Sequence, residues 1–478
     1  MDENKKAALS FIDGHAEFFT GVSDQIWEFA ELSLKEFQST ALYCAKLREL
    51  GFQVTEELGG IKTSFCGSFG SGHPVIGILG EFDALDGLSQ KAGAAGPDPL
   101  NAGKPGHGCG HNLLGAGSLA AAAAVKSYLE ATGLPGTVIF YGCPGEEGGA
   151  GKAFLAREGV WKCLDAAVSW HPGSANQVSS GSNTSSIQVL YKFKGISAHA
   201  AGNPHIGRSA LDAVELMNIG VQFLREHMTP DCRIHYAITD TGGISPNVVQ
   251  GSAAVLYMVR SNRVAEAVKL QARVDDIAKG AALMTGTTYE RTFIDGTADV
   301  LPNFTLEKTL FANMEAVELP SYTPEEWAFA EALKKTYPGS GIKGFDMCQD
   351  ETVREKLIEL TNNGEKAIND FLCPHWSCEN HFPGSTDVGD VSWLTPTAQI
   401  SAVCWPAGVP GHSWQVVTCG KSSLAHKGML YAGKVLAGAV IDLLNDPDTL
   451  AAAKAEYEKR SASGYVCPIE PDAVPIAL

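Results

Sequence analysis

The chain has 478 residues, 45% of them apolar, with 54 Asp and Glu against 36 Lys and Arg, a formal net charge of −18. That apolar content is enough for one large core and a second smaller one, so two domains are expected, while the acidity argues against nucleic acid or an anionic membrane as partner. The N-terminal Met1-Asp-Glu-Asn-Lys-Lys lacks the basic-then-apolar order of a signal peptide, no apolar stretch reaches the roughly 18 residues that span a bilayer, and the twelve cysteines have no regular spacing, so reduced thiols and a cytoplasmic location are expected.

Taken in chain order, residues 22–50 carry helical periodicity and stop at Gly51. Val75-Ile-Gly-Ile-Leu79 reads as a buried strand that ends at Gly80-Glu81-Phe82-Asp83. The glycine-rich turn Gly106-His-Gly-Cys-Gly-His-Asn112 leads into an Ala-rich helix over residues 113–129. Cys109 and His111 therefore stand at a helix N-terminus, where the dipole is expected to favour a thiolate. Thr137-Val-Ile-Phe-Tyr141 is a second strand, ending at Glu146 and Glu147, and Ala166-Ala-Val-Ser-Trp170 is a third, followed at once by His171. Gln399-Ile-Ser-Ala-Val-Cys404 is a fourth and runs into a loop carrying His412. Near-continuous apolar strands imply a mainly parallel sheet buried on both faces, whose ligand site lies beyond the strands' carboxyl ends. All these polar groups then fall on one edge.

Between the third and fourth strands the pattern changes. Residues 186–194 alternate as a half-exposed strand, 207–226 read as a helix, 233–239 and 253–260 as strands, 263–284 as a helix and 288–294 as a last strand. This β-α-β-β-α-β order predicts a ferredoxin-like domain over residues 184–298, inserted into a discontinuous α/β domain made of residues 1–183 and 299–478.

Thiolate, imidazole and paired carboxylates in turns are the donors that divalent transition metals prefer. Singly, each has a plainer reading. Glu146-Glu147 alone would be a solvated acidic turn, Cys109 a small buried apolar residue, and Asp83, Asp387 and Asp390 helix caps or groups orienting a ligand; His107 is as readily structural as functional. Together, in the same sheet-edge loops, they point to a metal hydrolase. Cys109 as a nucleophile with His111 as its base would leave the paired glutamates superfluous. The loop Cys373-Pro-His375-Trp-Ser-Cys378-Glu-Asn-His381 has four zinc-type donors, but their spacing fits no standard finger and the loop is discounted as a zinc site. The tail after Glu458 reads as a surface-lying extension.

Gly80-Glu-Phe-Asp-Ala84, Gly106-His-Gly-Cys-Gly-His-Asn-Leu-Leu114, Tyr141-Gly-Cys-Pro-Gly-Glu-Glu-Gly-Gly149, Phe193-Lys-Gly-Ile-Ser-Ala-His-Ala200, Gly243-Ile-Ser-Pro-Asn-Val-Val249, Gly384-Ser-Thr-Asp-Val-Gly-Asp-Val-Ser-Trp393 and Ala425-His-Lys-Gly-Met429 occur in this order. With them the chain resembles the metallopeptidases and amidohydrolases that include aminoacylase, carboxypeptidase G, hippurate hydrolase and the auxin-conjugate hydrolases. The resemblance implies a zinc-exopeptidase-like catalytic domain with the inserted unit as a dimerisation or lid domain. It implies that Cys109, His111, Glu147, His171 and His412 bind two divalent ions, Zn or Mn, with Cys109 as the bridge, and that Glu146 is the general base activating a water held between them. Asp83 would support the metal ligands. His199 would reach from the small domain of one subunit into its partner's site, and Asn247 and Arg260 would contact substrate, with Arg208 a further candidate. The implied substrate is an N-acyl or N-aroyl amino acid, an aminobenzoyl-glutamate-like compound favoured. The implied assembly is a homodimer, or a heterodimer with a paralogous subunit. A catalytically silent chain that pairs with an active paralogue is the alternative, and retention of every ligand and of Glu146 favours the enzyme.

Overall fold

Four apolar runs lie side by side in one seven-stranded sheet of the computed structural model, which describes residues 1–338, 348 and 350–476. In chain order the strands are β1 (Gln53–Glu56), β2 (Phe65–Ser71), β3 (Val75–Glu81), β4 (Gly136–Cys143), β5 (Ala166–Gly173), β6 (Gln177–Ser179), β7 (Ser182–Asn183), β8 (Ser185–Lys194), β9 (Arg233–Asp240), β10 (Ser252–Ser261), β11 (Thr288–Thr297), β12 (His381–Phe382) and β13 (Thr397–Val403). The large sheet has the order β1-β2-β4-β3-β5-β13-β6. Its central strands β4, β3, β5 and β13 are mutually parallel, and β1, β2 and β6 add antiparallel edges. The parallel strands deliver their C-terminal loops to one edge, as their apolar composition predicts.

Helices cover both faces. On one face the helix His111–Thr132 packs against β3, β4 and β5 and is itself covered by Glu3–Gly14, Ala16–Phe29 and Ser423–Asn445. Its small residues permit close approach: a Cβ on Gly433 would lie 3.0 Å from the Gly117 carbonyl of the neighbouring helix. Ser423–Asn445 is the one helix among the described residues long and apolar enough to cross a membrane, and 72% of its apolar window is buried in this layer. On the other face lie the short helices Gly151–Arg157 and Val388–Ser392, and their apolar cluster runs on into a second sheet.

That second sheet has the order β11-β8-β10-β9, antiparallel throughout, with helices Ala210–Leu224 and Val264–Thr285 on the face presented by Val189, Tyr191, Val255 and Tyr257. This is the split β-α-β arrangement expected from the alternating pattern. Strand β9 is an open edge, and Tyr236 and Ile238 on it are exposed, as are Ile219 and Phe223 on the adjoining helix.

Two expectations are corrected. Residues 22–50 are not one helix but two, Ala16–Phe29 and Phe37–Glu49, because Ala30 and Leu34 take left-handed conformations (φ 42° and 61°) and the Glu31 carboxylate accepts the backbone N–H groups of Gln38 and Ser39. The chain after residue 460 is not merely laid on the surface: Ile469 is buried, Tyr465 donates to Asp390 at 2.6 Å, and Arg157 donates to the carbonyls of Glu470 and Ala473. It fastens the small sheet to the large one, since Arg291 on β11 also pairs with Glu470. All twelve cysteines are free thiols.

Candidate metal centre

The turn before the long helix is built for two side chains that point the same way. Gly110, between Cys109 and His111, sits at φ +76°, and a Cβ there would meet Trp405 at 2.9 Å and Pro172 at 3.2 Å, so only glycine holds this turn. Cys109 Sγ lies 3.3 Å from His171 Nε2. His171 donates its Nδ1–H to its neighbour's carbonyl, Pro172 O, at 2.7 Å, and His111 Nδ1 is bonded to Asp83 Oδ1 at 2.9 Å. With both Nδ1 atoms engaged, the two Nε2 atoms face the site, the orientation in which imidazoles bind metals.

The paired glutamates are held from behind. Asp83 Oδ2 accepts the Glu147 N–H at 2.9 Å and the Ser33 hydroxyl at 2.8 Å, while the Gly145 N–H, at φ +68°, donates to Glu36 Oε1 at 2.8 Å. The break between the two N-terminal helices is what brings Ser33, Leu34 and Glu36 to this loop. His412 follows β13, also at positive φ (53°), its backbone N–H bonded to Gly108 O and its Nε2 3.4 Å from Glu147 Oε2.

The donors form two triads with a common member. Cys109, His111 and His171 bring their ligand atoms within 4.8 Å of one another, and so do Cys109, Glu147 and His412. His111 Nε2 and Glu147 Oε1 are buried without a hydrogen-bond partner among the described residues, a state that a bound cation would relieve. One sulfur, three imidazole nitrogens and a carboxylate around a shared thiol fit a pair of borderline divalent ions.

Electrostatics separates the members. Burial lowers the proton affinity of His171, with the neighbouring His111 acting in the same direction, which keeps it a neutral donor. Burial opposes charge on Asp83 too, but the hydrogen bonds from His111, Glu147 N–H and Ser33 hold its carboxyl below the usual range. Glu146 goes the other way: burial, then the charges of Glu81, Glu147 and Asp387, raise it well above an ordinary carboxyl. The helix dipole does not make Cys109 a free thiolate, contrary to expectation, because burial pushes the thiol up and the charges of Glu147 and Glu146 reinforce it. A cation bound at the sulfur would displace the thiol proton.

Around this centre lies a cavity of about 430 Å³ lined by Cys109, Glu146, Glu147, His171 and His412 together with residues of β6, of the turn after it and of the 376–386 segment. Arg260 on β10 reaches its wall, donating to Ser385 Oγ at 2.6 Å. His199 and Asn247 are not brought there. Both are exposed at the end of the small sheet, where their loops are joined by the hydrogen bond from Ala200 N–H to Asn247 O. Of the weighed residues, His107 is a peg, bonded to Ile26 O and drawn down to about 4 by burial. Asp390 holds the Ala298 N–H and Tyr465. Arg208 bonds the carbonyls of His205 and Gly207. The zinc-type donors of the 373–381 loop are dispersed in role: Cys373 sits in an apolar cluster with Leu357 and Phe371, and His375 stacks on Phe311 at 5.1 Å.

The match to known proteins agrees with this geometry. The model of peptidase family M20/M25/M40 matches residues 77–335. The chain belongs to that family. It is a metal-dependent amide hydrolase. A p-aminobenzoyl-glutamate hydrolase subunit of Escherichia coli is 43% identical over 98% of each chain, and the Xaa-Arg dipeptidase of Mus musculus is 30% identical over 63% of this chain and 69% of its own. A dinuclear metal binding M20 peptidase of Bacillus subtilis shares the fold, with a TM-score of 0.55 at 17% identity over 91% of this chain and 99% of that one.

Sequence reading gave no role to two groups at the centre of this M20 site. Glu81, at the end of β3, lies 3.3 Å from His111 Nε2 and forms a third donor group with His111 and Glu146. Lys152, fully buried on the helix after the paired glutamates, bonds Glu81 Oε1 at 2.6 Å and Asp387 with both its ammonium and its backbone N–H. Burial works against its charge, but Asp387 and Glu81 outweigh that and keep it protonated. Glu81 carried a signal, its place at a strand end beside Asp83; Lys152 carried none, because a lysine on a short helix reads as a surface residue. Lys152→Met should leave two buried carboxylates uncompensated and lower stability by about 3–5 kcal/mol, measured from denaturant unfolding of the metal-free protein.

Proposed function

We propose that this hydrolase cleaves the amide bond of an N-acyl or N-aroyl amino acid, with an aminobenzoyl-glutamate-like compound favoured, in the cytoplasm and as a dimer. The observation that carries the reading is the pair of donor triads sharing Cys109, with Glu146 beside them in one cavity. Cys109, His111 and His171 would hold one ion and Cys109, Glu147 and His412 the other, Zn or Mn. Bound there, the two ions would polarise the scissile carbonyl and acidify the attacking water.

The residues do the rest. Glu146 takes the proton of the attacking water on its carboxylate and returns it to the nitrogen of the leaving amine; burial and the flanking carboxylates give it the raised proton affinity that suits a group working in both directions. Asp83 keeps His111 and Glu147 aimed at the ions. Arg260, at the cavity wall, offers a guanidinium to the substrate carboxylate. The p-aminobenzoyl-glutamate hydrolase subunit similar to this chain over nearly its whole length supports the substrate class.

His199 and Asn247 would act from a partner subunit. His199 Nδ1 accepts the N–H groups of Ala201 and Gly202 at 3.2 and 3.0 Å, which leaves its Nε2–H as an outward donor for a developing oxyanion. Edge-to-edge pairing at β9 would cover Tyr236, Ile238, Ile219 and Phe223 and make residues 184–298 the dimerisation and lid domain of a metal-binding body formed by 1–183 and 299–478. The partner is an identical chain or a paralogue, the latter supported by the name of the Escherichia coli relative, which is that of one subunit of its enzyme. The intact donor set and Glu146 argue against a silent chain.

Purified protein should bind up to two equivalents of Zn or Mn, lose activity on chelation and regain it when either ion is restored; full activity in metal-free protein would refute the reading. Cys109→Ser should weaken metal binding in a titration rather than only slow turnover. Glu146→Gln should keep its metal yet lose at least ~100-fold in kcat, whereas Glu147→Gln should lose metal. An exchange of those two phenotypes would reverse the assigned roles. Mixing inactive His199→Ala with inactive Glu146→Gln should recover part of the activity, because one site of each mixed dimer has both residues intact. Subunit exchange without recovery would show that His199 does not serve a partner's site.

A further inference from the structure

Between the helices Glu351–Leu360 and Val388–Ser392 runs the 373–386 loop, of which the proposed hydrolytic roles use only the Ser385 contact with Arg260. It lies beyond residues 77–335, the part matched by the family model, and it walls the cavity that contains the metal donors, contributing Trp376 and Phe382. Apart from these two rings, the apolar side chains lining the cavity are the small Val178 and Val300; the remaining lining is polar or metal-binding. Among the described residues the phenyl and indole surface of the site therefore comes from this loop.

The loop is held in place independently of any substrate. Strand β12 pairs with β7, the Ser182 N–H donates to Asn380 O at 2.7 Å, and the Cys378 N–H donates to Ser180 Oγ at 3.0 Å. Gly181 sits at φ +96°, where a Cβ would meet Asn380 O at 2.7 Å and the Phe382 ring at 2.8 Å, so the Phe382 ring rests directly on backbone. Among the described residues neither Trp376 nor Phe382 is paired with another ring of the chain, whether stacked, tilted or edge-on, whereas the neighbouring His375 is stacked on Phe311. Both are half-buried at the cavity wall.

Resting on the hydrolase reading above, we propose that Trp376 and Phe382 form the acyl subsite and select a planar aromatic acyl group over a small aliphatic one. A carboxylate end is drawn to the Arg260–Ser385 part of the wall and the scissile amide to the metal donors, which leaves the acyl group as the part of the substrate able to use the two rings. Aromatic groups held offset or edge-on against such rings gain contact beyond simple area burial, and a small acyl group does not reach it. Trp376 and Phe382 touch neither the attacking water nor the metal donors in this scheme, so they act on selection and not on the chemical step.

The test compares N-benzoyl-glutamate with N-acetyl-glutamate, which share the amino acid and differ only in the acyl group, on the metal-loaded enzyme. Wild type should favour the benzoyl compound in kcat/KM. Trp376→Ala should lower that preference by about tenfold or more, chiefly through KM, Phe382→Leu should lower it less, and Trp376→Phe should retain most of it. Equal losses on both substrates, an unchanged ratio, or a wild-type preference for the acetyl compound would overturn the subsite. If wild type hydrolyses neither compound, the proposed substrate class fails on its own, and calorimetric titration of both compounds decides the subsite. A benzoyl preference in binding that Trp376→Ala abolishes supports it, and no preference overturns it.

Discussion

The Asp83 carboxylate is the interaction on which the rest of this site depends. One oxygen fixes the His111 ring through Nδ1, and the other holds the Glu147 N–H and the Ser33 hydroxyl. A single buried group thus connects the end of β3, the start of the long helix, the loop after β4 and the break between the two N-terminal helices. Its geometry explains why residues 30–36 leave helical conformation although their apolar spacing favours helix. Tertiary hydrogen bonds to a buried charge outweigh the few tenths of a kcal/mol per residue that separate helix propensities.

Around Asp83 the protein collects more negative charge than an interior of low dielectric tolerates. Glu36, Glu81 and Asp387 are buried here and Glu146 and Glu147 partly so, with Lys152 as an internal cation. Glu36 answers by holding its proton, pushed up to about 8 by burial and by the charge of Asp83. Glu146 likewise rises, while Glu81 stays ionised beside Lys152 despite its burial. Divalent ions at the Cys109 triads would complete this balance, and metal binding would then be coupled to folding stability through the same charges. The carboxylates that raise Glu146 are part of the same charge excess that bound cations would offset.

The parts of the site differ in how they could be read from the sequence. Cys109, His111, Glu146, Glu147, His171 and His412 were legible because each follows an apolar strand or opens a helix, and parallel strands send their C-terminal loops to one edge whatever the details of packing. The small sheet was legible for a similar reason: its alternating strands and long helices follow each other in an order with one common solution. The thiol of Cys109 was misjudged from local structure alone. Its helix-end position favours a thiolate, but the burial and neighbouring carboxylates that raise it come from the loop after β4.

By itself the sequence determined the four parallel strands, the order of the small sheet's elements, the edge on which the donors lie and the family to which they belong. Those follow from hydrophobic periodicity and from short motifs whose residues are close in the chain. Only the tertiary structure decided that Lys152 is buried between Glu81 and Asp387, that Ser33 and Glu36 brace the paired glutamates, that the tail ties Arg291 to Arg157, and that Trp376 and Phe382 wall the cavity. Each of these joins segments tens to hundreds of residues apart, where pairing is set by which charge or ring is left uncompensated once the sheets and helices have packed. No local pattern carries that information.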